Sequence, residues 1–403
     1  MRKLILSRCL AATMLSLLGQ AAAADEMKST YIDLTGSAGY SSNPFPGQNG
    51  GNGSPFASLS ARLSHRWSSE RTSTQIAGYW EGSDYVNDRL RNLLSFRGQT
   101  RHAVNERLDL SAAAGLIADF SGQLANRFLD FVPPGQPDTQ PPVPGSPTDL
   151  YMYGGRELRG DGNLGLAWQA SERSQLMAGV GVSRAVFSQS GLRDHTIENA
   201  SIGYERSVSQ LTDAGFHMVV SRTEYDGSND STLIIGPAVT LRSHLSQDWT
   251  IAGSVGASFS KVRRVGRDSN SISPSFSASL CHEDSAARLC ATAAHHTQSS
   301  AVAELITATT AGLEWTRMLD AKQTIELSAE YMHYDHPQAQ ITPIQSDQYR
   351  AAVTYSRLLS NRLSMGAEAS ARDGGRGAVV GEATRGSDVS VSLFLRYRWG
   401  DRA

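Results

Sequence analysis

Long hydrophobic runs are what this chain lacks most plainly. Its 403 residues contain no stretch of eighteen uninterrupted apolar residues, which excludes a protein that crosses a bilayer with helices. An excess of basic charge is missing too, with 37 Lys and Arg against 39 Asp and Glu. Three of the basic residues, Arg2, Lys3 and Arg8, lie at the very front, so the remainder is more acidic still. A nucleic-acid partner needs a basic surface, and none is expected here. Cysteine is scarce, with Cys9, Cys281 and Cys290 alone, too few for a cysteine-built metal site or a disulfide scaffold.

Catalytic signatures are missing as well. No G-x-S-x-G elbow occurs, and the Gly-rich stretches 47–53 and 374–377 have no strand–loop–helix context for phosphate. His295 and His296 are adjacent, and on a strand neighbours face opposite ways, so they do not chelate one ion. His333 and His336 flank Tyr334-Asp335 without a convergent third ligand. The sequence therefore predicts no catalytic residue, no metal, no cofactor and no enzyme.

What is present is alternation. Residues Val389 to Trp399 place Val389, Val391, Leu393, Leu395, Tyr397 and Trp399 on one face. Ser390, Ser392, Phe394, Arg396 and Arg398 take the other. A strand separates these sets at period two, whereas a helix would mix them. An apolar row closed by two aromatics, backed by a row carrying arginines, suits a strand between lipid and water. The pattern repeats in Leu59, Ala61, Leu63, His65 and Trp67, in Leu108 to Phe120, and in Leu164, Leu166 and Trp168. A mean hydropathy of −0.31 also suits a barrel, because alternation keeps the average low.

The front of the chain reads as a secretory signal over residues 1–24. It has a basic start, an apolar stretch Leu10 to Leu18, and small residues Ala22-Ala23-Ala24 before Asp25. Cys9 precedes the apolar stretch and is not read as a lipoprotein cysteine. Residues 25–403 are expected to form one all-β domain, a single antiparallel transmembrane β-barrel of about eighteen strands (sixteen to eighteen). Those segments run from 30–41 to 387–399. They are joined in turn by short connections, such as Ser171-Glu172-Arg173 and Asp320-Ala321-Lys322, and by longer Gly-, Pro- or Asp-rich ones. The longer ones are 42–54, 82–88, 121–154, 188–194, 226–231, 263–270, 297–301, 336–346 and 372–386. Short periplasmic turns and long external loops mark the Gram-negative outer membrane, and an even strand number puts both termini in the periplasm. Five of the six tryptophans, Trp67, Trp168, Trp249, Trp315 and Trp399, lie beside the short turns; Trp80 does not. Such rings belong at headgroup level.

Residues 121–154 hold half of the chain's 14 prolines, between 133 and 147. Proline cannot donate into a ladder, so this is an external loop rather than a strand. It is also the candidate for a loop folded into the pore. Cys281 and Cys290 flank a turn at Ser285-Ala286-Ala287, with Leu280 and Leu289 fitting the lipid face. Both cysteines then point inward on adjacent strands, and an exported chain favours a cross-strand disulfide. The alternative is two unpaired small residues.

Alternation also nominates the lumen. The pore-lining candidates are Arg62, Arg66, Arg97, Arg159, Arg242, Glu326, Glu330, Arg350, Arg396 and Arg398. Further inward candidates are Arg91, Arg101, Arg362, Arg372, Asp161, Glu205, Glu314 and Glu368. Arginine on a pore wall favours anions. An eighteen-stranded barrel is wide enough for an aqueous channel.

The opening strand, Ile32-Asp33-Leu34-Thr35-Gly36-Ser37-Ala38-Gly39-Tyr40-Ser41-Ser42-Asn43-Pro44-Phe45, resembles the start of an outer-membrane β-barrel family associated with exopolysaccharide biosynthesis operons. The shared features are size, signal and a first strand ending in a G-x-x-x-[ND]-N-type turn, here Gly39-Tyr40-Ser41-Ser42-Asn43. The resemblance implies a multi-pass barrel that takes part in exporting a secreted polysaccharide, with periplasmic export components as partners. Outer-membrane lipids and the outer-membrane assembly machinery are the other expected partners. Such barrels usually end in an aromatic residue, whereas Gly400-Asp401-Arg402-Ala403 follow Trp399 here. Three rivals remain: a general diffusion porin, a structural or adhesion barrel, and a barrel lipase or deacylase needing an inward Ser–His pair.

Overall fold

A computed structural model describes residues 27–44, 53–86, 91–120, 157–188, 192–264, 267–301, 305–335, 346–374 and 386–401. The expected signal over 1–24 and the Pro-rich segment 121–154 lie outside these residues. Eighteen strands follow in order: β1 Met27–Ser41, β2 Ser54–Ser68, β3 Thr72–Tyr85, β4 Arg91–Asn105, β5 Leu108–Asp119 and β6 Glu157–Ser171. Next come β7 Ser174–Phe187, β8 His195–Ser207, β9 Thr212–Tyr225, β10 Ser231–His244, β11 Trp249–Arg264 and β12 Arg267–Glu283. The last are β13 Ala287–Ser299, β14 Leu305–Asp320, β15 Gln323–Asp335, β16 Ser346–Leu358, β17 Leu363–Gly374 and β18 Gly386–Asp401.

Each strand pairs antiparallel with its neighbour in sequence, and β18 closes on β1 from Thr30↔Asp401 to Ser41↔Ser390. The result is one sheet closed around its circumference. Closure is what allows strands to cross a bilayer, because backbone groups then find partners inside the protein. The outer face is apolar: Leu393 is 68% exposed and Trp399 63%. Between them and on either side, alternate residues turn inward. Phe394 is the aromatic exception on the inward row. Its ring lies where a side chain on Gly366 of β17 would stand, so the glycine makes room for it.

Connections on the side of Met27 and Asp401 are two to four residues long. In one of them Asp284 accepts the N–H groups of Ala286 and Ala287 at 2.7 Å each. Those bonds hold its carboxyl below the ordinary carboxylate range. Trp67, Trp168, Trp249, Trp315 and Trp399 stand near these turns. At the opposite end the expected loop 263–270 is corrected: β11 and β12 run on until only 265–266 separate them. Arg263, Asp268 and Asn270 read as loop because they are polar. They lie on strand beyond the apolar band, where neither face needs lipid.

Cys281 and Cys290 are directly opposite in the β12–β13 ladder, and their sulfurs are bonded. That ladder has eight residue pairs, the fewest of any in the barrel; the β16–β17 ladder has eleven. A cross-link with a sequence separation of 9 adds roughly 2–3 kcal/mol in the loop-entropy account. It sits in the seam with the least backbone pairing to hold it.

Candidate functional site

The inward rows define the site. Leu59 and Leu63 are exposed on the outer face of β2, so Arg62 and Arg66 point into the lumen. The same alternation turns Arg97 inward behind Leu94 and Phe96, Arg159 behind Leu158, and Arg242 behind Val239 and Leu241. Tyr349 and Val353 face outward, so Arg350 faces in. Leu313 is outward and stands opposite Ala329, which turns Glu326 and Glu330 inward. Arg396 and Arg398 oppose the apolar row of β18. Alternation thus turns all ten pore-lining candidates toward the lumen.

They do not act alike. Arg398 makes two parallel bonds to Asp33, Nε to Oδ1 and Nη2 to Oδ2, each 2.6 Å. Its guanidinium also lies 4.7 Å from the Tyr31 ring centroid. This bidentate pair ties β18 to β1 where the barrel closes. Arg62 sits 6.0 Å from the Tyr79 ring centroid, and the Tyr79 hydroxyl donates to Glu81 at 2.5 Å. Arg396 lies within electrostatic reach of Asp33, Arg62 and Glu326. At the external end Arg372 meets Asp388 at 3.3 Å, and Asp388 also accepts from Ser41 at 2.7 Å. One wall, from β17 through β3, is therefore a lattice of paired charges.

Removing Asp33 isolates Arg398 at the closing seam. Asp33→Ala should destabilise the barrel by on the order of 2–3 kcal/mol, the lower end of the range for a broken buried pair because lumen water reaches the arginine. The temperature at which the folded band converts on gels reads this. An unchanged temperature would show that the pair contributes nothing to closure.

The second component is one that sequence reasoning missed. The β12–β13 ladder stops at Phe276↔His295, although β12 continues to Arg267 and β13 to Ser299. Above His295, β13 leaves the wall together with the start of β14, and this arm folds into the lumen. Thr297, Gln298, Ser299, Ser300, Ala301, Leu305 and Ile306 are all buried. The arm lies against β9, β10 and β11. Thr223 Oγ1 donates to Ser299 Oγ at 2.9 Å, Tyr225 Oη to the Ser300 carbonyl at 2.8 Å, and Arg193 N–H to the Ala301 carbonyl at 2.9 Å. Leu305 packs with Ile234 and Val262. Ile306 and Ala308 pack with Met332 and Tyr334. The expected external loop 297–301 is thus a constriction inside the barrel.

Chemistry is sparse elsewhere. His295 faces outward, stacked on Phe276 and bonded to Thr309, while His296 faces inward beside Gln298. Among the described residues no three of His, Cys, Asp and Glu converge as metal ligands.

No family model matches this sequence, and no curated protein matches it. Solved structures match at the level of the chain's course. OccK2 from Pseudomonas aeruginosa, solved in complex with glucuronate, is 12% identical, with 93% of this chain and 98% of that chain covered at a TM-score of 0.48. The FrpB iron transporter of Neisseria meningitidis is 9% identical, covering 92% and 81% at 0.45. The alcaligin outer-membrane receptor FauA of Bordetella pertussis is 10% identical, covering 93% and 76% at 0.40.

Closed, eighteen-stranded, apolar outside and charged within, the chain is an outer-membrane β-barrel of the Gram-negative kind. It crosses the membrane with every strand.

Proposed function

We propose that this barrel is a channel passing hydrophilic solutes across the outer membrane, with anions preferred and no chemical step. The observation behind this is the inward row of arginines on a wall whose other face is apolar. Arg66, Arg97 and Arg242 stand on separate parts of that row, away from the Asp33–Arg398 and Asp388–Arg372 pairs, and Arg350 stands between Glu330 and Arg372, its partners in the two ladders of β16. The arm over β9–β11 narrows the path, which suits small solutes. Outer-membrane lipids and the assembly machinery are its proposed partners.

A second reading is passage of an acidic exopolysaccharide strand, with periplasmic export components as partners. The first-strand resemblance and the lumen arginines favour it. A polymer would need the arm displaced.

Liposome swelling distinguishes these. Vesicles carrying the protein should swell faster in gluconate than in a neutral hexose of similar size. Swelling in neither would leave the structural or adhesion barrel as the better account, and faster uptake of a cationic sugar would contradict anion preference.

A further inference from the structure

We infer that the arm, residues 296–301 with 305–306, has two docking positions: the inner wall, where it lies in this structure, and the vacant edge of β12, where it would complete the barrel. Only its effect on current rests on the channel reading above.

The edge is the first observation. β12 is paired with β11 along its length, from Trp249↔His282 to Arg264↔Arg267. On its other side, residues 270–275 have no ladder partner among the described residues, because β13 turns away after His295. Depth is the second. Ile235, Phe259 and Ile272 are opposite one another on adjacent strands and face outward. Phe259 is 45% exposed and Ile272 72%. Beyond this row come Lys261, Arg263, Asp268 and Asn270. Residues 272–275 thus present an unpaired backbone edge inside the apolar band, where lipid cannot satisfy it. Pro274 lies within that edge. It lacks an N–H, which weakens a ladder where it stands and lets the strands part there.

The docked position is itself incomplete. Among the described residues, Thr297 Oγ1 and Ser300 Oγ of the arm are buried without a hydrogen-bond partner, as are Thr232 Oγ1 and Ser260 Oγ of the wall beneath. Orphaned hydroxyls on both sides weaken the contact. Returned to the wall, the arm would continue the existing register as Ser275↔His296, Pro274↔Thr297, Ser273↔Gln298 and Ile272↔Ser299. Leu305 is suited to either place. Docked, it packs on Ile234 and Val262. On the wall, its phase in β14 matches that of Leu313 on the lipid face. The Cys281–Cys290 bond lies below the fork, so the arm can move while the seam beneath stays closed.

Paired cysteines trap each position. Thr223→Cys with Ser299→Cys holds the arm inside. Ser273→Cys with Gln298→Cys holds it on the wall, at the same face and ladder phase as the native bond, eight residues further along each strand. In proteoliposomes treated with copper phenanthroline, mass spectrometry should find both new bonds, each in its own variant. The inside-locked variant should show small single-channel steps and the wall-locked one steps several-fold larger. Adding Tyr225→Phe, which removes one docking bond, should raise the yield of the Ser273–Gln298 bond several-fold. A folded, heat-modifiable Ser273/Gln298 variant that never cross-links, beside a Thr223/Ser299 variant that does, would overturn the second position. If both bonds form and neither variant conducts, the two positions stand and the channel reading fails.

Discussion

Ile234→Asp should enlarge the pore. Ile234 is 4% exposed beneath Leu305. With the arm docked, a carboxylate there is buried without a partner. With the arm lifted, it faces the watery lumen. Loss of the apolar contact together with burial of an unpaired charge weakens docking by about 3–5 kcal/mol, a shift of at least a hundredfold in the docked population. Single-channel recordings should show conductance increased several-fold, with the folded barrel still heat-modifiable. Unchanged conductance would mean that the arm does not limit the path.

Replacing Arg66, Arg97, Arg242 and Arg350 together with Gln should abolish anion preference. Lumen substitutions leave the lipid face intact and so tune selectivity without unfolding the barrel. A change of about one kT in the lumen potential alters the ratio of anion to cation concentration by roughly sevenfold, because the two ions respond with opposite sign. The reversal potential in a salt gradient should move toward the cation value by a corresponding amount. Arg398 is left out because Asp33 already neutralises it. An unchanged reversal potential would place selectivity elsewhere.

Most of the fold is legible in the sequence because its strands obey one rule. Lipid outside and water inside force period-two alternation, and Val389 to Trp399 display it with Phe394 as the single exception. Strand ends are less legible. Arg263, Arg264 and Asp268 to Asn270 put polar residues on both faces because they stand above the membrane, and a polar strand looks like a loop. The arm was illegible for a different reason. Residues 297–301 and 305–306 are buried on both faces inside the lumen, so alternation gives no signal there. The usable signals were elsewhere. Pro274 interrupts a strand that otherwise alternates cleanly, and Ile234, Val262, Met332 and Tyr334 are large apolar or aromatic residues in inward phase, where polar ones belong. Inward apolar residues on β10, β11 and β15 mark what the arm packs against. The Pro-rich segment 121–154 drew attention as the pore-folding candidate by composition alone, and it lies outside the described residues.

We propose an open, arginine-lined path through the barrel. The wild-type protein in planar bilayers, under a potassium chloride gradient, tests it most directly. Stepwise currents with a reversal potential on the chloride side are predicted, and the preference should shrink as salt rises, since exposed charges are screened over roughly 10 Å at 0.1 M. A folded barrel that gives no steps, or a pore that prefers potassium, would contradict it.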